Sequence, residues 1–429
     1  MPPPPLNLSI KTPDVPGSYK LNDFRLIGAS GTDVDLTRLF LEVNIFEDIR
    51  TPTITGDVMI SDAIGLYNNL PVTGEEQLVL DFNSEHDGTT EKVKFKRTYT
   101  TYKVSEKMQL KQDLATYRIY FATPELEENE KVRVSKAYTG LKTSEIIKLL
   151  LTEPAPRGLG SSRPLKLEPT FYAEHVIIPY WSPFEAINWL AVRALPEANN
   201  SAANFMFFEN RDGFNFVSIE SLLKQTPKFT YAQAVKNVSE KQKRVFGVEK
   251  YEVFDSQDAA SNIKDGLYAG GLLIHDIVKK SYSFKEFDYK ATFSKTKHTD
   301  KHALLSSKSD RNSRPYSNFK YYPTHHNLFD NMSENGNRSD KWLLQRNSLL
   351  QQLMTFRIVF RVKGNTEVKV GDMVNFRMYM QNPENQKDHV LNKYNDGAYL
   401  VTAIRHTLNQ DGYYQTIELC KDTYKETLA

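Results

Sequence analysis

The stretch Pro71–Phe82 reads PVTGEEQLVLDF, and far along the chain Val368–Phe376 reads VKVGDMVNF. Each carries a glycine (Gly74, Gly371), an acid soon after it (Glu76, Asp372), and then alternating apolar positions, the period of a half-buried strand. A glycine before an acid suits the tight turn that leads into such a strand. After a loop, each block runs strand, polar turn, strand: YTTYKVSEKMQLKQDLATYRIYFAT from Tyr99 to Thr123, and GAYLVTAIRHTLNQDGYYQTIELCKD from Gly397 to Asp422. Any two antiparallel meanders share some of this. Order and spacing agree as well as composition, which favours a duplication. Two similar barrels separated by an α/β module are therefore expected.

Outward from these blocks, residues 1–17 read as an extended arm, because Pro2 to Pro5 cannot start a helix. Residues 18–130 read as the first tube-like β-barrel domain. LFLEVNIFEDI alternates at Leu39, Leu41, Val43 and Ile45; TGDVMISDA, EEQLVLDF, EKVKFKRTYTTYKV and ATYRIYFAT are further strands, with HDGTT as a turn. Residues 131–245 change grammar to an α+β middle module. LKTSEIIKLLLTE is a helix with Thr143 or Ser144 near its cap, PAPRGLGSSRP a loop and EHVIIPY a strand. YWSPFEAINWLAVRA is the clearest helix, with Ser182, Pro183 and Glu185 as a capping box and Phe184, Ile187, Leu190, Ala191 and Ala194 on one stripe. NFMFFENRDGFNFVSIESLL is two strands joined around Asp212-Gly213. Residues 246–290 and 345–429 read as a second, discontinuous barrel domain, interrupted by a polar insertion or long loop at 291–344. The fold class is mainly β, with two tandem tube-like β-barrel domains in a multidomain chain.

A length of 429 residues exceeds one ordinary core, and 12% aromatic residues favour pleated surfaces. The single cysteine, Cys420, rules out an internal disulfide and a cysteine zinc cage, and it fits synthesis in a reducing cytoplasm. No apolar run reaches the roughly 20 residues of a membrane span, and MPPPPLNLSI lacks the marks of a secretory signal. A net charge of +2 demands neither nucleic acid nor an anionic membrane.

The residues that resemble chemistry are better read as structure. His298 and His302 are spaced as helical metal ligands can be, but KTKHTDKHALL lacks the HExxH glutamate. His325-His326 has no clear third ligand. IGASGTD, with Gly28, Ser30 and Gly31, is not a GxSxG elbow, and RGLGSSR lacks the lysine of a phosphate loop. The run Glu125 to Glu130 could hold a glycosidase carboxylate pair, yet its density suits a solvated linker. Lys279 to Lys320 is strongly basic: Lys279, Lys280, Lys285, Lys290, Lys295, Lys297, Lys301, Lys308, Arg311, Arg314 and Lys320 stand against Glu286, Asp288, Asp300 and Asp310. Tyr316, Phe319, Tyr321 and Tyr322 lie close by. Such a segment can bind single strands or meet an acidic protein, and the protein interface is the commoner outcome. No catalytic, cofactor-binding or metal-binding residue is assigned, and no cofactor is expected.

Three stretches resemble one family. LEVNIFEDIRTPTITGDVMISDAIGLYNNLPVTGEEQLVLDF resembles the N-terminal barrel of baseplate hub proteins from contractile-tailed bacteriophages, T-even-type hubs related in fold to the hub part of the type VI secretion spike. The Tyr180–Ala194 helix with the hairpin after it resembles their middle module, and VKVGDMVNF with YLVTAIRHTL their second barrel. Most of residues 35–425 is covered, weakly in 291–340, and the proline arm has no counterpart. The resemblance implies a structural virion protein without enzymatic activity: a homotrimer whose six barrels form a pseudo-sixfold ring, adapting the six-fold tail tube to the trimeric central spike and letting DNA pass transiently. It implies contacts with tail tube, spike and other baseplate proteins, and no membrane insertion. Trp181 and Trp189 would brace the middle module outside the ring. The implied location is the tail baseplate, after assembly in the host bacterial cytoplasm. A hub of a tail-derived bacterial injection system and a tail-associated cell-wall glycan hydrolase are the alternatives.

Overall fold

The computed structural model describes residues 17–29, 31–69, 73–84, 94–233, 247–248, 250–256, 258–313, 318–324, 338–380 and 391–428. The proline arm up to residue 16, HDGTT, Ser30, Arg314, Tyr316 and His325-His326 lie outside them.

The first block contributes β1 (Tyr19–Ile27), β2 (Asp33–Asp35), β3 (Phe40–Asp48), β4 (Thr55–Asp62), β5 (Gln77–Ser84), β6 (Lys94–Lys111) and β7 (Leu114–Ala122). They pair in the order β3-β4-β7-β6-β5-β1-β2. All but β2 send buried side chains into one interior, among them Phe24, Val43, Ile60, Leu80, Tyr99 and Ile119. A sheet whose strands share one interior must wrap around it. The expected alternation at Leu39, Leu41, Val43 and Ile45 fails at one place. Leu41 is exposed and Phe40 is buried, because the register against β4 shifts between Phe40 and Glu42. A bulge adds one residue and moves the inward parity with it.

The middle module contains β8 (Val134–Lys142), β9 (Leu165–Leu167), β10 (Ala173–Trp181), β11 (Phe205–Asn210) and β12 (Gly213–Ser218). Two helices, Thr143–Thr152 and Pro183–Arg193, pack on them. The second starts where its capping signal lies: the Ser182 hydroxyl accepts from the Glu185 amide at 3.4 Å. Phe184, Ile187, Leu190, Ala191 and Ala194 are all buried. Trp181 and Trp189 are half-buried and meet edge-on, 5.4 Å between centroids. The Arg193 guanidinium covers Trp189 at 3.4 Å. The pair thus seals the rim of this core rather than filling its centre.

Among the described residues ten further strands follow: β13 (Thr230–Gln233), β14 (Gly247–Val248), β15 (Tyr251–Ser256), β16 (Ala269–Asp276), β17 (Ser281–Asp288), β18 (Phe319–Thr324), β19 (Phe356–Lys363), β20 (Met373–Arg377), β21 (Gly397–Asn409) and β22 (Gly412–Lys421). The ladder β15-β19-β22-β21-β20 repeats the order β3-β4-β7-β6-β5. The agreement extends to single residues. Thr100 faces both Gln77 and Ala122, as Leu400 faces both Met373 and Cys420. A register shift follows at once in each, across Tyr102 and across Thr402.

The ladders depart from the expected assignment of 246–290 to the last block. Only β14 and β15 join the large sheet; β16 and β17 pair with β18 in a separate three-stranded sheet, with a small core around Leu267, Tyr268, Phe287 and Tyr289. Nor is 291–344 only loop, since it holds β18 and the start of a helix, Ser339–Met354.

Candidate functional site

Two of the joints between parts of this chain are built from residues whose side chains point where a strand's parity sends them. The first is a seam between the two β blocks. The far half of β21 pairs antiparallel with β3, from Ala403 opposite Asp48 to Asn409 opposite Glu42. Arg405 on β21 donates to Asn44 at 2.9 Å and pairs with Glu42 at 3.4 Å. Thr407 donates to the same Asn44 oxygen at 3.0 Å. Beneath them His406 is buried, 2.7 Å from the Tyr413 hydroxyl. Ile45, Ile404 and Leu408 close the apolar side.

The second place ties the first block to the middle module through charge. Glu209 on β11 is buried, accepts from Arg97 of β6 at 2.9 Å, the Ile54 amide at 3.0 Å and the Thr123 hydroxyl at 2.5 Å, and forms an ion pair with Arg163 at 3.2 Å. Arg163 also binds Glu125 at 2.8 Å, and Ser161 donates to Glu125 at 2.7 Å. Burial pushes the carboxyl of Glu209 up, against the pull of Arg97, Thr123 and Ile54; burial likewise raises Glu125, against the hydrogen bond from Ser161. A carboxylate in such a place is costly alone and tolerable only with its arginines. Glu125 was one end of the acidic run read as a solvated linker, and that reading fails for it: Glu125 and Asn129 are buried in the helix Pro124–Lys131. Sequence reasoning missed this cluster, although a signal was present. Arg97 shares the inward parity of Phe95 and Tyr99, and Glu209 that of Phe205 and Phe207.

The other candidates are dispersed. Gly28 and Gly31 form the β1–β2 turn, with the Gly31 amide donating to the Gly28 carbonyl at 2.8 Å. RGLGSSR supplies Ser161 and Arg163 to the cluster above. His298 is buried against Asp422 at 2.7 Å and stacked on Phe293, while His302 pairs through its backbone with Tyr424. Among the described residues no group of three or more potential ligands could hold a metal ion, and no helix is long and apolar enough to cross a membrane.

The basic segment is not one patch. In β17 and β18 the lysines and aromatics alternate, so Lys285 and Lys320 take one face of the small sheet while Tyr282, Phe284, Phe319 and Tyr321 take the other, exposed one. Lys290 turns inward to the Ser307 and Ser309 carbonyls, whereas Lys295, Lys297 and Lys301 are exposed. A cleft of about 340 Å³ lies where the middle module meets the last block, lined by Phe208, Leu222, Lys228 and Val370 among others. Four of its charged side chains pair internally, Lys228 with Asp372 at 2.7 Å and Lys369 with Asp212.

Similarity to known proteins runs through the whole architecture rather than through any one cleft. The chain is 22% identical over 396 residues to a protein of Vibrio phage KVP40 described as a probable baseplate hub protein, an alignment that takes in 89% of each. This chain is a relative of phage baseplate hub proteins. Two solved structures share its fold. A tail protein from Neisseria meningitidis MC58 superimposes with a TM-score of 0.54 at 12% identity, covering 94% of this chain and 97% of that one. The 43 kDa tail protein of prophage MuSo2 from Shewanella oneidensis gives 0.53 at 8% identity, covering 94% and 100%. No protein-family model matches the chain. The resemblance to baseplate hubs and the mainly β fold read from the sequence are thus borne out.

Proposed function

We propose that this chain is a structural hub of a contractile-tail baseplate, acting as a homotrimer. Three copies, each giving two tube-like barrels, form a pseudo-sixfold ring that meets the tail tube on one face and the trimeric spike on the other, with a central passage for DNA. One observation carries the reading: five strands of the first block and five of the last have the same ladder order, and the two blocks meet head to tail at the β21–β3 seam. A contact between unlike edges of like units generates a ring when its rotation closes. In this reading residues 18–130 form one barrel, β13–β15 with β19–β22 most of the other, and 131–229 a module outside the ring. The role is non-enzymatic, since the buried carboxylates hold the first barrel to that module. Light scattering should give about three times the 49.3 kDa chain mass, and an image should show a threefold ring. A strictly monomeric chain in the presence of tube and spike partners would sink the reading.

The exposed Lys295, Lys297 and Lys301 fit docking onto an acidic baseplate protein rather than a grip on passing DNA, which each neutralised phosphate would tighten. Replacing all three with alanine should weaken baseplate assembly, most visibly at low salt, where the attraction of exposed charges is least screened. Normal assembly of that variant, with tight single-strand binding by the unaltered chain, is the contrary result.

A further inference from the structure

The seam joins two particular edges, and each has a counterpart in the other block. On one side of β21, β20 occupies residues 397–400 and β3 occupies 403–409, while β22 fills the other side. β6 is arranged alike: β5 occupies residues 94–100 and β7 fills the other side. Beyond Thr100, however, the side that β3 takes in the last block has no partner strand among the described residues. β15 shows the complementary deficit. Its counterpart β3 lies between β4 and β21, but β15 pairs only with β19 among the described residues. The two edges missing partners are therefore the equivalents of the two that meet in the seam.

We infer that β15 of one copy of this chain takes Lys103–Lys111 of a neighbouring copy as an antiparallel strand, reproducing the β21–β3 seam between chains. The register follows from equivalence. Phe254 faces Arg357 as Phe46 faces Thr55, and Ser105 faces Arg118 as Arg405 faces Thr416. Since Arg405 lies opposite Phe46, Ser105 lies opposite the neighbour's Phe254. Beyond the irregularity at Glu106 and Lys107, Gln109 takes the place of Leu408 and lies opposite Tyr251, which stands for Val43.

Burial agrees. Ile45 is 0% exposed in the seam and Thr407 is buried there, while their equivalents Val253 and Met108 are 41% and 59% exposed. Open strand edges are ready templates for pairing, and proteins usually cover or guard them. Charge agrees too. Lys103–Lys111 holds three lysines and one glutamate, whereas Tyr251–Phe254 holds Glu252 and no base. Lysines on a solvated edge are also a common guard against pairing, and the experiment separates the two roles.

The inference rests on the ring reading for the number of copies, because matched edges fix the direction of the contact and not how many subunits close it. Ser105→Cys combined with Phe254→Cys, and Gln109→Cys combined with Tyr251→Cys, are oxidised in the full chain and run on non-reducing gels beside scattering of the same samples. The native Cys420 is buried and adds little background. Interchain disulfides in a double variant, rising to a covalent trimer and absent from each single variant, are expected. A trimer by mass with neither pair linked overturns the edge contact and leaves the ring standing. A monomer at the highest soluble concentration, with neither pair linked, overturns the edge contact as stated here. If cysteines disturb folding, Val253→Lys with Phe254→Lys is the second route: these exposed sites should tolerate lysine with unchanged melting while the assembly falls to monomers. An assembly that persists in that variant refutes the inference.

Discussion

The middle module meets its two β neighbours through the two faces of one strand, by a buried ion pair on one face and, inside a rim of ion pairs, by an apolar contact on the other. On β11, Glu209 receives Arg97 from the first block, while Phe208, one residue away, packs into the core of the last block beside Val370, Met373 and Phe376. The charged joint is directional: it fixes position through several hydrogen bonds and depends on every member being present. The apolar joint tolerates changes of contact so long as volume is kept. A unit placed between two similar blocks must treat them differently, because the repeated ladders alone do not distinguish one block from the other.

Breaking each joint should expose that difference. Arg97→Ala leaves Glu209 buried with fewer cations, and should cost about 3–5 kcal/mol in urea unfolding. Phe208→Ala should cost a similar 3–5 kcal/mol or so through lost burial and a cavity. The rescue is where they part. Arg97→Met combined with Glu209→Met should recover much of the first loss, since both charges leave the interior together. A double variant no better than Arg97→Ala alone would show that the charged joint does more than satisfy itself.

Within the middle module the contrast is between centre and rim. Phe184→Ala should again cost about 3–5 kcal/mol, because that ring is buried between the helix and Phe207. Trp189→Ala should cost less, about 1–2 kcal/mol, because the indole is half-buried under Arg193. Equal losses in thermal melting would place Trp189 in the core after all.

The matched turns allow a finer test. Gly74 and Gly371 both have positive φ, +101° and +86°, and each precedes a buried acid. Each acid accepts from the amide three residues before it, Thr73 for Glu76 and Lys369 for Asp372; Glu76 then takes the Thr101 hydroxyl of its own block, whereas Asp372 reaches Lys228 outside its block. A Cβ on Gly371 would come within 3.1 Å of the Phe208 ring; on Gly74 its nearest contacts are at 3.8 Å. Either glycine replaced by alanine should lose roughly 1–2 kcal/mol to backbone strain. Only Gly371→Ala should couple to Phe208→Leu, by about 0.5 kcal/mol or more in a double-mutant cycle. Additivity at both sites would mean that the outward contact carries no energy.

These pairs also mark what could be read in advance. The glycine and acid of each turn lie within two residues of each other in sequence, and the residues of the capped helix are likewise local, so local pattern was enough for them. Leu41 defeated the alternation because a bulge is a property of two strands and cannot be seen in one. The seam joins Arg405 to Asn44, and the charged joint links Arg97 to Glu209; these contacts depend on topology rather than on neighbours in the chain. The small sheet was assigned to the wrong block for another reason. β17 and β18 do alternate aromatic with polar residues, but the aromatic face is the exposed one, so the alternation does not point to the core these strands pack on.

The smallest effect concerns a contact that has no equivalent in the first block. After β22 the chain continues to Asp422, whose carboxylate accepts from the Thr299 amide at 2.9 Å and meets His298 at 2.7 Å. Burial pushes the His298 imidazole down, but the hydrogen bond and charge of Asp422, with the Phe293 carbonyl, outweigh it and leave the pKa raised above 6.5. For Asp422, burial pushes up, and His298 and Thr299 outweigh it, leaving the pKa below 3.8. The signs then fix a window. A histidine raised on folding contributes fully below its unfolded value and loses that contribution as pH rises through the folded one. An aspartate lowered on folding contributes above its unfolded value and loses it as pH falls through the folded one. The pair therefore stabilises most between about pH 4 and about pH 6.5. Melting followed from about pH 3 to about pH 9 should decline on both sides of that window, and His298→Gln should flatten the alkaline decline. An alkaline limb that is as steep in His298→Gln as in the unaltered chain would show that the titrating group lies elsewhere, and that the tail is held by the neutral bonds to Thr299 and Thr423 alone.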